Sequence, residues 1–171
     1  IPLLKQWYQR RVHGGGENGA SGGMGTWGKL EAELQIKAGA AMFHDIFSTR
    51  LHHISNISPR VHGCDLHDGD YNKPNSTVSG TYVIDGKVVR HKVAVEEVDA
   101  ERHRMSWRVV EGHPLEDNRS FRLVKEARGG DRLAWIVEYE KRRPELPEPL
   151  PFLDMLIHVT RDMDSHFMAN P

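Results

Sequence analysis

Apolar and polar residues alternate with a period of two along most of the chain. The clearest case is the segment 29–37, in which the apolar positions are Leu30, Ala32, Leu34 and Ile36. The same alternation returns in six later segments, at 61–66, 80–84, 87–98, 104–112, 120–126 and 133–140. Because successive side chains of a strand point to opposite faces, this pattern predicts seven strands, each with one buried face.

Short turn sequences join the later strands. Asp85-Gly86 is a strong two-residue hairpin signal, and 99–101 and 128–131 are further turns between alternating segments. Gly112-His113-Pro114 breaks the pattern before the segment 120–126. Strands joined by such short turns run antiparallel, so the sequence predicts an antiparallel sheet.

Helical spacing replaces the alternation after the first strand and again at the end of the chain. Two short helices are predicted, over 38–48 and 51–56, the second ended by Ser58-Pro59. Four prolines between 144 and 151 then stop the sheet. The segment 152–169 contains neither Gly nor Pro and predicts a long amphipathic helix. Its apolar stripe consists of Leu153, Leu156, Ile157, Thr160, Met163 and Phe167.

The first 25 residues differ from the rest. Eight glycines lie between Gly14 and Gly28, a composition that predicts a flexible linker. Before them, Leu3, Leu4, Trp7 and Tyr8 have the spacing of one short amphipathic helix. We therefore divide the chain into an appendage at 1–25 and one domain at 26–171.

Composition narrows the class of function. Lys and Arg total 23 and Asp and Glu total 24, so no basic surface predicts binding to nucleic acid. No apolar run has the length of a membrane span, and the first residues lack the order of a secretory signal. The single cysteine, Cys64, excludes an internal disulfide framework. We expect a cytoplasmic protein without stable membrane insertion, a monomer or weak dimer.

A curved sheet covered by one helix leaves a volume that its side chains must fill. The inward positions mix the large aromatics Trp107, Trp135 and Tyr139 with small or polar residues such as Ala32 and Thr160. An apolar cavity with a few polar groups is typical of a small-molecule site. Aromatic residues that simply fill the core are the alternative, and alternation alone does not decide between the two.

Several segments resemble, in order and spacing, the plant major latex protein group of the Bet v I (pathogenesis-related, START-like) superfamily. They are GKLEAELQIKAGA at 28–40, HHISNISP at 52–59, GCDLHDGD at 63–70, YVIDGKVV at 82–89, VEEVDAERHRMSWRVVEG at 95–112, VEYEK at 137–141 and FLDMLIHVTRDMDSHF at 152–167. The resemblance implies an α+β helix-grip fold, a curved seven-stranded antiparallel sheet around the last helix. It also implies an internal cavity for a fatty acid, sterol, flavonoid or hormone-like molecule, and a role in defence or stress.

Two parts of the chain depart from that family. The segment 71–80 replaces a glycine-rich loop and a tryptophan-bearing strand, and Pro74 is expected to shorten the third strand and alter the cavity mouth. The appendage at 1–25 is normally absent.

We expect a hydrophobic ligand to contact the inward residues of the sheet and one face of the last helix, and we expect no cofactor. Leu153, Ile157 and Thr160 should form the helix wall. The predicted ligand-binding residues are Leu34, Phe47, Tyr82, His91, Met105, Trp107, Trp135, Tyr139, Leu153, Ile157 and Thr160.

Catalysis in the cavity is the alternative function. Some superfamily members run condensations or isomerisations with a pocket residue as general acid or base. By alternation Lys92, Glu96, Glu138 and Glu140 face outward, which leaves Tyr139 and His91 as candidate acid–base groups.

Two further functions are less favoured by the pattern. His62 and Cys64 point to one face of a strand and His67 to the other, so the three cannot bind one metal ion. The related hormone receptors close their cavity with a gate loop and a latch. Here the tight Asp85-Gly86 hairpin occupies the gate position, and 112–115 matches the latch only loosely.

Overall fold

Seven antiparallel strands form one curved sheet in a computed structural model that describes residues 25–170. The strands are β1 Trp27–Gln35, β2 Val61–Asp68, β3 Thr77–Ile84, β4 Lys87–Asp99, β5 Arg104–Gly112, β6 Asn118–Ala127 and β7 Arg132–Lys141. Their order across the sheet is β1-β7-β6-β5-β4-β3-β2, and every neighbouring pair is antiparallel. The predicted fold class and strand count are confirmed.

Four helical segments complete the part of the chain that is described. They are α1 Ala40–Thr49, a 3-10 helix η1 Leu51–Asn56, the single turn α2 Pro114–Asp117 and the long helix α3 Leu150–Ala169. The pair α1 and η1 connects β1 at one edge of the sheet to β2 at the other. Helix α3 begins two residues before the predicted start, because a proline such as Pro151 is tolerated in a first turn. Among residues 25–170, no helix is long and apolar enough to cross a membrane.

The expected shortening of the third strand at Pro74 does not occur. Strand β3 begins at Thr77 and pairs with β4 along its whole length. Pro74 lies before it in a turn, in which the Ser76 backbone N–H donates to the Lys73 carbonyl at 3.1 Å. The proline therefore precedes the ladder and does not interrupt it. The predictions for the appendage, including the short helix around Trp7 and most of the glycine linker, fall outside the described residues.

Arginine side chains cover much of the convex face of the sheet. Arg128 forms ion pairs with Glu31 and Glu33 of β1 and with Glu126 of β6. Arg122 donates to Glu96 at 3.0 Å and to the Ser106 hydroxyl at 3.3 Å. Their long aliphatic stems shield apolar positions of this face while the charged ends stay near water. The concave face is left to the helices.

Helix α3 is attached to both edges of the sheet through two carboxylates. Asp164 accepts hydrogen bonds from the backbone N–H groups of Lys37 and Ala38, which follow β1, at 3.0 and 2.9 Å. Asp162 accepts from the Ser58 hydroxyl at 2.6 Å and from the Arg60 guanidinium at 2.8 Å, just before β2. Residues two apart on a helix point about 200° apart, so one carboxylate reaches each edge.

These attachments should contribute measurably to stability. We expect Asp162→Asn to lower the free energy of unfolding by about 1–2 kcal/mol, because the charge-assisted hydrogen bond from Arg60 is lost. Urea denaturation measures the change. Asp154→Asn is the matched control, since that carboxylate lies 3.5 Å from His158 on the same helix and should cost less than about 0.5 kcal/mol. Equal losses in the two variants would contradict the role given to Asp162.

Candidate functional site

A cavity of about 100 Å³ lies between the concave face of the sheet and the first half of α3. Its wall is almost entirely apolar, and it receives side chains from α1, η1, α3 and six of the strands. The lining residues are Phe47, Leu51, Ile54, Val61, Cys64, Val78, Gly80, Tyr82, His91, Val93, Trp107, Leu123, Trp135, Phe152, Met155, Leu156 and Val159.

Three aromatic rings close one end of the cavity. The Phe47 ring lies 5.9 Å from that of Trp107 and 5.4 Å from that of Trp135, and the two indoles are stacked at 6.3 Å. Trp135 is fixed further, because its Nε1–H donates to the Thr160 hydroxyl at 2.8 Å. That hydroxyl in turn donates to the Leu156 carbonyl at 2.8 Å. The aromatic end of the site is therefore rigidly attached to α3.

The main polar group in the wall is the pair of Tyr82 and His91. The Tyr82 hydroxyl and His91 Nδ1 form a hydrogen bond of 2.9 Å across β3 and β4. Gly80 makes room for the imidazole, since a Cβ there would lie 2.8 Å from His91 Nε2. Burial, and next the nearby His113, lower the pKa of His91 to about 4, and burial raises the pKa of Tyr82. Both groups are neutral near pH 7.

The helix wall differs from the predicted one. Phe152, Met155, Leu156 and Val159 face the cavity, whereas Leu153, Ile157 and Thr160 do not line it. The apolar stripe of α3 is broad enough that both sets are buried, so the sequence spacing leaves the rotation of the helix undetermined. The hydrogen bond between Trp135 and Thr160, together with the attachments of Asp162 and Asp164, fixes that rotation and turns the other flank toward the cavity.

A second space of about 210 Å³ lies at the end of the molecule where α3 begins. We call it the vestibule. It is lined by Ile84, Asp85, His113, Pro114, Asp117, Asn118, Phe121, Pro147, Glu148, Pro149, Pro151 and Phe152. Phe152 is the one residue that lines both the vestibule and the cavity. Its ring contacts those of Phe121 at 5.0 Å and Tyr82 at 5.6 Å, and it stands between the two spaces.

Five of the predicted ligand-binding residues meet in the cavity wall. They are Phe47, Tyr82, His91, Trp107 and Trp135. The other six are fully or almost fully buried but do not line the cavity. These are Leu34, Met105, Tyr139, Leu153, Ile157 and Thr160.

The candidate acid–base groups Tyr139 and His91 are therefore not brought together at one cavity surface. Tyr139 packs against Gly28 of β1, where an added Cβ would lie 2.3 Å from its ring. Only His91 of the two lines the cavity.

Lys125 is a buried residue of this region that the sequence reasoning missed. Its side chain is 0% exposed, and its Nζ lies 5.3 Å from the centre of the Phe47 ring. Burial lowers the pKa of Lys125 to about 8. The signal was present in the alternation, because Phe121, Leu123 and Lys125 fall on one face of β6.

Neither the metal nor the receptor interpretation gains support. Within residues 25–170, no group of three His, Cys, Asp or Glu side chains could hold a metal ion. Cys64 lines the apolar cavity, and burial raises the pKa of its thiol to about 12. Asp85 and Gly86 form a tight turn with φ of 49° and 75°, so no long loop stands at the gate position.

Comparisons with known proteins agree on one family. A model of the pathogenesis-related protein Bet v 1 family matches residues 25–170. MLP-like protein 31 of Arabidopsis thaliana is 39% identical over 147 residues, which are 82% of this chain and 86% of that protein.

Solved structures agree in fold. The crystal structure of ginseng major latex-like protein 151 from Panax ginseng has a TM-score of 0.81 and 35% identity, covering 84% of this chain and 99% of that one. Norcoclaurine synthase from Thalictrum flavum, solved with dopamine and hydroxybenzaldehyde, shares the fold at a TM-score of 0.69 and 17% identity, covering 86% of this chain and 90% of that one. The chain thus belongs to the pathogenesis-related protein Bet v 1 family, and its similarity to the major latex proteins is confirmed.

Proposed function

We propose that the protein binds a hydrophobic small molecule non-covalently in the cavity and carries or stores it. The observation that supports this most directly is the apolar space between the sheet and α3. Side chains of a close-packed core normally leave no void larger than a water molecule. An apolar void of this size is therefore suited to an apolar ligand, since water gains few hydrogen bonds there.

The size of the cavity limits what can enter without a conformational change. Sites for drug-sized molecules usually measure about 300–1,000 Å³, and this cavity measures about 100 Å³. Joined to the vestibule, it approaches the lower end of that range. Rotation of the Phe152 ring joins the two spaces, so we place the ligand's entry between the Asp85 turn, α2 and the proline-rich segment before α3.

The polar groups of the wall favour binding over acid–base catalysis. The pKa of His91 is lowered to about 4, so its imidazole is a weak base at neutral pH. Its Nδ1 is already hydrogen-bonded to Tyr82. We propose that this pair orients a ligand through its remaining hydrogen-bonding capacity and transfers no proton.

The biological role, the compartment and the oligomeric state are proposed from the family and from the composition. The pathogenesis-related description of the matching family supports a role in defence or stress. One cysteine in 171 residues is compatible with a reducing compartment, and we propose the cytoplasm. We further propose a monomer or weak dimer that uses no nucleic acid partner.

A larger side chain in the cavity should weaken the binding of an apolar ligand. Decan-1-ol and naphthalene are suitable probes, and we expect a saturable change in the fluorescence of Trp107 and Trp135, which line the cavity. Val159→Phe places a ring in the void and should weaken binding at least tenfold. Val110→Phe, at an exposed position on β5, is the matched control and should change nothing. The absence of a saturable fluorescence change with both probes would refute the carrier function.

Reducing the ring between the two spaces should speed ligand entry. We expect Phe152→Leu to raise the association rate of naphthalene severalfold in stopped-flow fluorescence, because less side chain must move aside. Phe43→Leu is the control, since Phe43 is fully buried but lines neither space. Equal rates in the wild type and in Phe152→Leu would show that the ligand enters elsewhere.

The buried imidazole should make stability depend on pH. Its folded-state pKa of about 4 lies below the ordinary 6.5, so the unfolded chain binds more protons between these values. The stabilisation is complete above pH 6.5 and is lost as the pH falls toward 4, by on the order of 2–3 kcal/mol. His91→Gln should lose less stability than the wild type between pH 7 and 4.5 in urea denaturation. The exposed His62→Gln should behave like the wild type, and identical losses in all three would contradict this assignment.

A further inference from the structure

Lys125 stands at the end of the cavity opposite the vestibule. Along β6, Phe121 lines the vestibule, Leu123 lines the cavity and Lys125 comes next on the same face. Lys125 lies beside the aromatic end of the site, opposite Trp135 in the strand register and over the Phe47 ring. Within residues 25–170 it is the one Lys, Arg, Asp or Glu side chain that is buried.

Two hydrogen-bond donors at this end have no acceptor. Lys125 Nζ and Trp107 Nε1 are both buried, and neither has a hydrogen-bond partner. The register places Met105 opposite Lys125 and Trp107 opposite Leu123, so the two donors are diagonal neighbours on the concave face. Trp135 provides the contrast, since its Nε1–H is satisfied by Thr160. The unsatisfied donors are therefore concentrated at one end of the cavity.

The two histidines near Lys125 supply no negative charge to pair with its ammonium group. His44 Nδ1 and His103 Nδ1 are also buried without partners, and their rings lie 5.3 Å apart. Burial, then Lys125 and His103, lower the pKa of His44, while Asp45 and Asp99 act in the opposite direction. Both carboxylates are occupied elsewhere, Asp45 by Arg50 and Asp99 by the backbone N–H groups that follow it.

We propose that Lys125, assisted by Trp107, binds the carboxylate of an amphipathic ligand whose apolar tail runs through the cavity toward Phe152. A carboxylate brings two acceptor oxygens and no donor, which complements two donors without acceptors. A buried charge without a partner destabilises a protein. Binding of a negatively charged ligand group would pair the Lys125 ammonium and so remove this destabilisation. This inference rests on the proposed function and names its ligand class.

The dimensions of the site suggest the length of the tail. Four residues separate Phe121 from Lys125, which is about 13 Å along a strand. A medium-chain alkyl group has this length. Phe47 contacts both the cavity and the ammonium group, so binding requires its ring or the lysine stem to rotate. The same rotation supplies part of the additional volume that such a ligand needs.

Decanoate and decan-1-ol, which have the same chain and different head groups, test the proposal. Their affinities at pH 7 are measured by tryptophan fluorescence for the wild type, Lys125→Met and the exposed control Lys73→Met. We expect the wild type and Lys73→Met to bind decanoate at least tenfold more tightly than the alcohol. Lys125→Met should lose this preference while its affinity for the alcohol stays within about threefold. Trp107→Phe should reduce the preference by a smaller factor.

The outcomes separate this inference from the function on which it rests. Equal binding of acid and alcohol by the wild type would overturn the role of Lys125 and leave the carrier function standing. A preference that survives in Lys125→Met would also overturn it. Binding of neither molecule would refute both. Methionine has a similar length and no charge, so Lys125→Met should unfold at the same or a higher urea concentration than the wild type, and retained alcohol binding confirms its fold.

Discussion

The attachment of α3 to both edges of the sheet is the constraint on which the rest of the structure depends. Asp162 and Asp164 point about 200° apart and bind the segments that follow β1 and precede β2. These two strands are the edges of the sheet, so the two carboxylates hold both edges to one helix. Both attachments lie in the second half of α3. Its first half crosses the concave face without a comparable polar link to an edge, and there the cavity lies.

The void survives because the large side chains near it are committed to other contacts. Trp135 is hydrogen-bonded to Thr160, Trp107 stacks on it and Phe47 meets it edge to face, so the three rings pack together at one end. At the other end the Phe152 ring packs against Phe121 and Tyr82 and does not fill the cavity. Gly80 contributes no side chain, and its space is taken by His91. One aromatic ring, Phe152, stands at one end and three stand at the other, so the two ends of the cavity differ.

The sequence predicted the sheet well because alternation reports the burial of each position directly. All seven strands, the helical pair and the terminal helix followed from spacing, and five of eleven predicted site residues line the cavity. The predicted helix wall of Leu153, Ile157 and Thr160 differs from the observed cavity lining for a physical reason. The stripe of α3 is apolar over more than one face, and its rotation is set by tertiary contacts, namely the Trp135–Thr160 hydrogen bond and the attachments of Asp162 and Asp164. Pro74 predicts a shortened strand because the sequence alone does not show whether a proline lies within a ladder or, as here, in the turn before it. The vestibule depends on Phe152 and on residues distant in sequence, which no local pattern can bring together.

The polar groups of the site differ in whether the protein satisfies them, and this difference bears on what binds. Tyr82 and His91 are hydrogen-bonded to each other, and burial keeps both uncharged. An apolar ligand beside them therefore leaves no charge unpaired. Lys125 has no such partner, and Asp45 of α1 is paired with Arg50. A core built for stability alone would carry an apolar side chain there, because an unpaired buried amine weakens the folded state. The destabilising group therefore lies beside the aromatic end of the apolar cavity. That position is where a ligand's head group would come to rest if it entered past Phe152 and extended fully inward.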